Sequence, residues 1–263
     1  MDLGLKGKRA LVLGGSRGIG FGIAKELAAE GARVMLASRD AASCADAAAR
    51  IEKAHGVPVL GRVCDMSDLA SVDAIAAMAE SELGGVDILI NNTGGPPPGP
   101  ISAVDSETWM KHFQAMVVSV IRLTGLVLPG MRERKWGRIL TVSSSGVVEP
   151  IPILGISNTL RVALVNWSKT LDLEIARDGV TINVIMPGRI ETDRLRSNQE
   201  FMSEQRGISL EEAKKETAAP IPVGRVGTVE EFAALAAFLA SERASYLTGQ
   251  LYAVDGGLIR TPR

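Results

Sequence analysis

Three glycines, Gly14, Gly18 and Gly20, lie in the stretch LVLGGSRGIGFGIAKELA, directly after a hydrophobic run and at the opening of an alanine-rich segment of helical period. A backbone carrying as few side chains as Gly14, Ser16, Arg17, Gly18, Ile19 and Gly20 provide lets a pyrophosphate come close, and the free amides and dipole of a helix start stabilise its charge. Glycines alone are a weak signal. Here the strand-like run before them, the helix after them and the next run, RVMLAS, supply the context of a dinucleotide cradle. Metal chemistry has no comparable support, because Cys44 and Cys64 with His55 and His112 are the only soft donors and form no ligand cluster in the sequence.

The elements that must position such a cradle are legible as alternation. The runs RALVLG, RVMLAS, VPVLGRV, VDILIN, GRILTVS, VTINVIM and QLYAVD alternate with helical segments at 18–30, 41–54, 68–83, 105–128, 156–178 and 229–241. That order predicts an α/β, single-domain, Rossmann-like doubly wound parallel sheet with helices on both faces, spanning 1–263. One long interruption, 193–227, is charged and not strand-like; it is read as short helices forming a lid. Capping-box patterns stand at Ser209 to Glu212 and at Thr228 to Glu231.

A chain of 263 residues with 46% hydrophobic content is long enough for one well-buried core, and a net charge of -1 offers no stripe for nucleic acid. The start, MDLGLKGKRALVLGG, lacks the features of a signal peptide, and no apolar run is expected to span a membrane. The expectation is a cytoplasmic protein with both cysteines buried.

The spacing of the glycines, three residues and then one, resembles the short-chain dehydrogenase/reductase family, whose pattern TGxxxGxG is matched with Leu13 in place of the threonine. Further landmarks follow in order: CDMSD with Asp65, NNTG with Asn91 and Gly94, LTVSSSG, MPGRIET with Pro187 and Gly188, and LTGQLYAVDGG. The resemblance covers essentially the whole chain and is closest to the 3-oxoacyl-acyl-carrier-protein reductase type. It implies that Asp65 meets the adenine, Asn91 the ribose side, and Ile190 and Thr192 the nicotinamide amide. Charge selects the cofactor: Ser38 and Arg39 end the second strand and Arg17 lies in the glycine loop, so the extra phosphate of NADP(H) is better matched than the free ribose of NAD. Asp40 is read as the N-cap of the following helix.

In this family a tyrosine protonates the carbonyl, a lysine four residues later lowers its pKa and holds the ribose, a serine polarises the substrate and an asparagine supports a proton relay. By resemblance Ser144 keeps the serine position, whereas the tyrosine falls on Ser157, the lysine on Arg161 and the asparagine on Met116. Tyr246 and Tyr252 are the only tyrosines, both near the carboxy terminus, so neither can be shifted into register. Ser157 and Arg161 share a helix face, which leaves Arg161 able to hydrogen-bond a ribose. Its guanidinium does not give up its proton, and a serine hydroxyl is a far weaker acid than a phenol of pKa about 10. Met116 is read as core-facing, Ser157 alternatively as a small residue that only makes room, and His112 as a surface or interface histidine before a substitute acid. Pro96, Pro97, Pro98 and Pro100 stiffen a loop expected at the nicotinamide end, with Glu149, Pro150 and Pro152 opposite.

Two functions follow. One is an NADP(H)-dependent oxidoreductase acting on a carbonyl or related small molecule, its proton coming from elsewhere, such as water held by Ser144 and Ser157, or needed little at the moment of hydride transfer. The other is a pseudoenzyme that binds NADP(H) as a sensor or interaction module. The resemblance also implies a homotetramer built on the helices at 105–128 and 156–178 and on the terminal strand.

Overall fold

The computed structural model describes residues 1–261. Seven strands form one parallel sheet: β1 (Arg9–Leu13), β2 (Arg33–Ser38), β3 (Val59–Val63), β4 (Ile88–Asn91), β5 (Gly137–Val142), β6 (Val180–Pro187) and β7 (Leu251–Val254), in the order β3-β2-β1-β4-β5-β6-β7. The chain winds outward from β1 to β3, then crosses back to β4 on the other side of β1. A doubly wound sheet opens a crevice where the order reverses, at the carboxyl ends of β1 and β4.

The strands are apolar on both faces because helices cover both. Alternate residues serve opposite layers: Ala10 and Val12 join α1 (Gly18–Ala29), α2 (Ala41–His55) and α9 (Val229–Leu239) in one buried cluster. Leu11 and Leu13 join α3 (Leu69–Met78), α5 (Ser119–Glu133) and α6 (Gly155–Ile175) in the other. Asp40 does cap α2, accepting from the Ser43 amide at 2.7 Å, and both expected capping boxes form. Within 193–227 lie α7 (Asp193–Arg206) and α8 (Leu210–Ala218), short helices as expected.

The segment expected as one helix over 105–128 is different in detail. α4 (Ser106–Phe113) passes through a wide π-helical turn, Gln114–Val118, into α5, which runs on to Glu133 with Pro129 inside it. This corrects the expectation that no stretch is long and apolar enough to cross a membrane: 106–133 is such a stretch by length and composition, 28 residues with a mean hydropathy of 1.5 in its most apolar window. Part of that apolarity is spent inside the protein, where Met116, Val117 and Val120 pack on Ile156, Leu160 and Leu164 of α6. A salt bridge from Arg122 to Asp73 on α3 crosses its middle.

The opposite end of the sheet is locked by charge. Asp87, just before β4, takes the Arg9 guanidinium at 2.5 and 2.8 Å, the Arg9 amide at 3.0 Å and Arg134 at 3.1 Å. Burial works to raise the Asp87 pKa, but the Arg9 hydrogen bonds and the charges of Arg9 and Arg134 hold it below the ordinary carboxylate range. A carboxyl depressed in the folded state adds stability above its unfolded pKa of about 3.9 and loses it as pH falls through the folded value. Asp87→Ala therefore lowers unfolding stability by about 3 kcal/mol at pH 7, and the gap from the parent narrows as pH falls below about 3.9, as urea unfolding followed by fluorescence would show.

Candidate active site

The turn from β1 into α1 holds the glycine cradle. Gly14 and Gly18 have φ of 59° and 55°, the left-handed region that glycine alone adopts cheaply. A Cβ on Gly20 would overlap the Gly14 carbonyl oxygen, and one on Gly14 would lie 2.7 Å from the Asn92 amide nitrogen. Ser16 is half-buried, Ile19 packs on the core, and Arg17 precedes the first turn of α1 with an extended backbone and an exposed side chain. No side chain caps that turn, and an uncapped helix start offers its amides to an anion. A cavity of about 240 Å³ adjoins it, lined by Gly18, Lys25 and, from the far side, Thr192 and Asp193.

The other cofactor candidates surround this turn. Ser38 is half-buried, its hydroxyl 3.0 Å from the Cys44 sulfur, and Arg39 is exposed beside it. Asp65 accepts from the Ser67 amide and hydroxyl at 2.9 and 2.8 Å; the amide contact above all, and also the nearby charge of Arg39, keep its pKa low. Exposed cations at Arg17 and Arg39 and an uncrowded glycine turn fit a phosphorylated dinucleotide. Gly94 is exposed at the start of the proline loop. Pro187 ends β6, and Gly188 leaves no room for a side chain, since its Cβ would come 2.6 Å from the Asp255 backbone. Ile190 is buried in the core, and Thr192 caps α7, accepting from the Leu195 amide at 3.3 Å.

Asn91 sits differently from its expected role. Its side chain is 1% exposed and turned onto Thr124 of α5, with Nδ2 3.3 Å from the threonine hydroxyl and Oδ1 lacking a partner. Its neighbour Asn92, absent from the residues singled out in the sequence, donates to the Gly14 carbonyl at 3.3 Å. The only cue in the sequence was the pairing of two asparagines.

Ser157 and Arg161 meet at the end of β5, where Arg161 reaches the Val142 carbonyl two residues before Ser144. Ser144 opens a 3-10 turn, its hydroxyl accepting from the Gly146 amide at 3.1 Å. Ser157 and Arg161 are both buried on α6, and the guanidinium Nε donates to the Ser157 hydroxyl at 3.2 Å. Its Nη1 donates to the Val142 carbonyl at 2.8 Å and its Nη2 to the Thr93 carbonyl at 3.1 Å. Burial, with a lesser push from the charge of Arg194, brings the Arg161 pKa down to about 10, which still leaves a cation at neutral pH.

Met116 faces the apolar cluster between α5 and α6, as its side chain would dictate. Tyr246 is exposed, and Tyr252 packs on the core from β7, where burial raises its pKa. Glu149 accepts from the Arg260 amide at 2.9 Å, and so binds the carboxy-terminal segment to the turn after β5. Two further residues join the site without a cue from spacing. Asn158 donates to the Ile151 carbonyl at 2.9 Å, its Oδ1 buried without a partner beneath Gly146. Arg194, in the first turn of α7, reaches the Pro96 carbonyl at 2.9 Å and so links the 193–227 excursion to the proline loop.

A family model described as enoyl-(acyl-carrier-protein) reductase matches residues 14–259. D-beta-hydroxybutyrate dehydrogenase of Cupriavidus necator is 36% identical over 258 residues, 97% of this chain and 99% of that protein. A 3-oxoacyl-[acyl-carrier-protein] reductase of Escherichia coli is likewise 36% identical over 258 residues, with the same coverage. Among solved structures, L-sorbose reductase of Gluconobacter frateurii, complexed with NADPH and L-sorbose, superposes with a TM-score of 0.95 at 35% identity, covering 100% of both chains. With the sheet order, the glycine turn and the sequence match all in agreement, the chain belongs to the short-chain dehydrogenase/reductase family.

Proposed function

We propose that this chain reduces a small carbonyl compound with NADP(H), using a serine held by an arginine in place of the family's tyrosine and lysine. As a short-chain dehydrogenase/reductase it is an oxidoreductase of small-molecule carbonyl substrates. The cofactor is NADP(H): similar structures carry NADPH, and Arg17, Ser38 and Arg39 fit the extra phosphate. Gly14, Ser16, Gly18, Ile19 and Gly20 would cradle the pyrophosphate and Asp65 the adenine. Asn91 supports the ribose side by bracing β4, and Gly94, Pro187, Gly188, Ile190 and Thr192 border the nicotinamide.

The observation that carries the reading is the bond from Arg161 Nε to Ser157 Oγ. Because that oxygen already accepts from a fixed cation, the serine's own proton is free to be donated outward, and the charge makes the hydroxyl a stronger donor. The Ser144 oxygen is likewise occupied by the Gly146 amide. Two hydroxyl donors are then available to one carbonyl oxygen, a small oxyanion hole. When bound, NADPH supplies the hydride to the carbonyl carbon. Ser144 and Ser157 would stabilise the alkoxide so formed, which would take one proton from water held between them, the resulting hydroxide being reprotonated from bulk solvent; Arg161 remains a cation throughout and stores no proton. The loss of the phenol is thus partly offset by electrostatics.

A second reading rests on the same side chain. Arg161 already spans the Val142 and Thr93 carbonyls, an arrangement that would suit a pseudoenzyme binding NADP(H) as a sensor or interaction module. In either case the 193–227 helices form a lid, pinned at its base by the pairing of Ile190 with Gly227. Exposed apolar side chains on α4, α5 and α6, including Met110, Phe113, Leu126 and Leu173, supply the contact for a homotetramer. The two buried free thiols suit a reducing cytoplasm.

Titration with NADPH, followed by fluorescence, is expected to saturate, and Arg39→Glu to weaken it about tenfold or more; no binding at millimolar NADPH would remove both readings. On a panel of carbonyls, quinones and enones, Ser157→Ala is expected to lower kcat on the order of a hundredfold. Binding with no turnover, while Ser157→Tyr with Arg161→Lys gains activity on simple ketones, would favour the pseudoenzyme. Light scattering at micromolar concentration is expected to report four chains; a monomer would refute the assembly.

A further inference from the structure

Arg161 carries a charge that no carboxylate among the described residues pairs with. Its side chain is 7% exposed, and its three hydrogen bonds all go to neutral acceptors, the Ser157 hydroxyl and the carbonyls of Val142 and Thr93. A guanidinium has five N–H groups, so two find no acceptor among the described residues. Among the described residues the charge that acts on it is another cation, Arg194. Arg194 in turn bonds a neutral atom, the Pro96 carbonyl, whereas its neighbour on α7, Arg196, pairs with Glu200. Two other arginines, Arg9 and Arg134, share the carboxylate of Asp87, and buried Arg138, which also bonds only carbonyls, has the charge of Glu242 acting on it and the Trp136 ring beneath it.

A buried cation without a counter-charge is costly, and a second cation beside it adds to the cost. Ribose hydroxyls could accept the two remaining hydrogen bonds but would leave the charge uncompensated. Arg161 bonds Ser157 itself, and the two arginines bond carbonyls of one short stretch, Arg161 that of Thr93 and Arg194 that of Pro96. Arginine forks favour planar oxyanions, which they bind by paired hydrogen bonds.

We propose that the substrate of this site is itself an anion, a carbonyl compound bearing a carboxylate or phosphate group that Arg161 and Arg194 receive together. The inference rests on the reductase reading for its location, but its test does not depend on turnover.

Full-length protein loaded with NADPH is challenged with five-carbon 2-oxo, 3-oxo and 4-oxo acids, each against its primary amide, and with dihydroxyacetone phosphate against dihydroxyacetone. At least one acid or the phosphate should raise the melting temperature where its neutral partner does not. If NADPH is consumed, that compound's kcat/KM should exceed its partner's at least tenfold, chiefly through KM. The acid and phosphate arms identify which oxyanion is read. Arg194→Gln, on an exposed side chain, should bring the charged-to-neutral ratio close to one while the NADPH Kd stays within twofold. Arg196→Gln on the same helix should change neither. Selective binding of an anion without turnover upholds the inference and counts against the reductase. Turnover of neutral and charged partners at equal kcat/KM upholds the reductase and overturns the inference. Equal melting shifts from both partners also overturn it, as does Arg194→Gln weakening NADPH by the same factor as the acid, which would assign that guanidinium to the cofactor's phosphates.

Discussion

The ligand end of this molecule depends on how closely the backbone after β1 approaches the backbone after β4. Gly20 lies against the Gly14 carbonyl, and Asn92 reaches across the crevice to the same oxygen. Neither contact survives a side chain on those glycines, so the turn is held open to a phosphate by sterics and closed to solvent-side rearrangement by one hydrogen bond. From that knot the first turn of α1 takes its direction, and with it the uncapped amides offered to an anion. The remainder of the site, Ser144, Ser157 and Arg161, is set by β5 and α6, which pack on β4 and β6 in the same rigid sheet.

At the reacting end, one set of interactions replaces another. A tyrosine and lysine pair would supply a titratable proton; a serine and arginine pair supplies a fixed field. The guanidinium reaches over its own helix turn to Ser157 and on to two main-chain carbonyls, so the serine's short side chain is backed by a charge rather than by reach. Desolvation lowers the arginine pKa without bringing it near neutrality, which keeps that field constant over the ordinary pH range.

Much of this could be read from the sequence because the information is local. Seven apolar runs became seven strands, Asp40 and the two capping boxes marked helix starts, and Met116 went to the core as its side chain implies. What could not be read is non-local. Both α4 and α5 keep helical period, so nothing in the pattern marks the π turn between them. Asn91 and Asn92 are the same residue type, and which faces the crevice is decided by strand register and by Thr124. Arg194 meets a carbonyl nearly a hundred positions away, inside a loop whose path the prolines stiffen but do not specify, and Asn158 fits beneath Gly146 only once β5 and α6 have packed.

The position of β7 has a consequence for how the protein is made. It is the edge strand beside β6 and is formed by residues 251–254, and the amide of Arg260 finishes the join to Glu149. Until residues 251–254 have added to it, β6 keeps an open hydrogen-bonding edge and part of its apolar face uncovered, the condition under which unfinished sheets recruit wrong neighbours. Docking of this late strand, rather than formation of the early glycine cradle, is the event that covers the β6 edge.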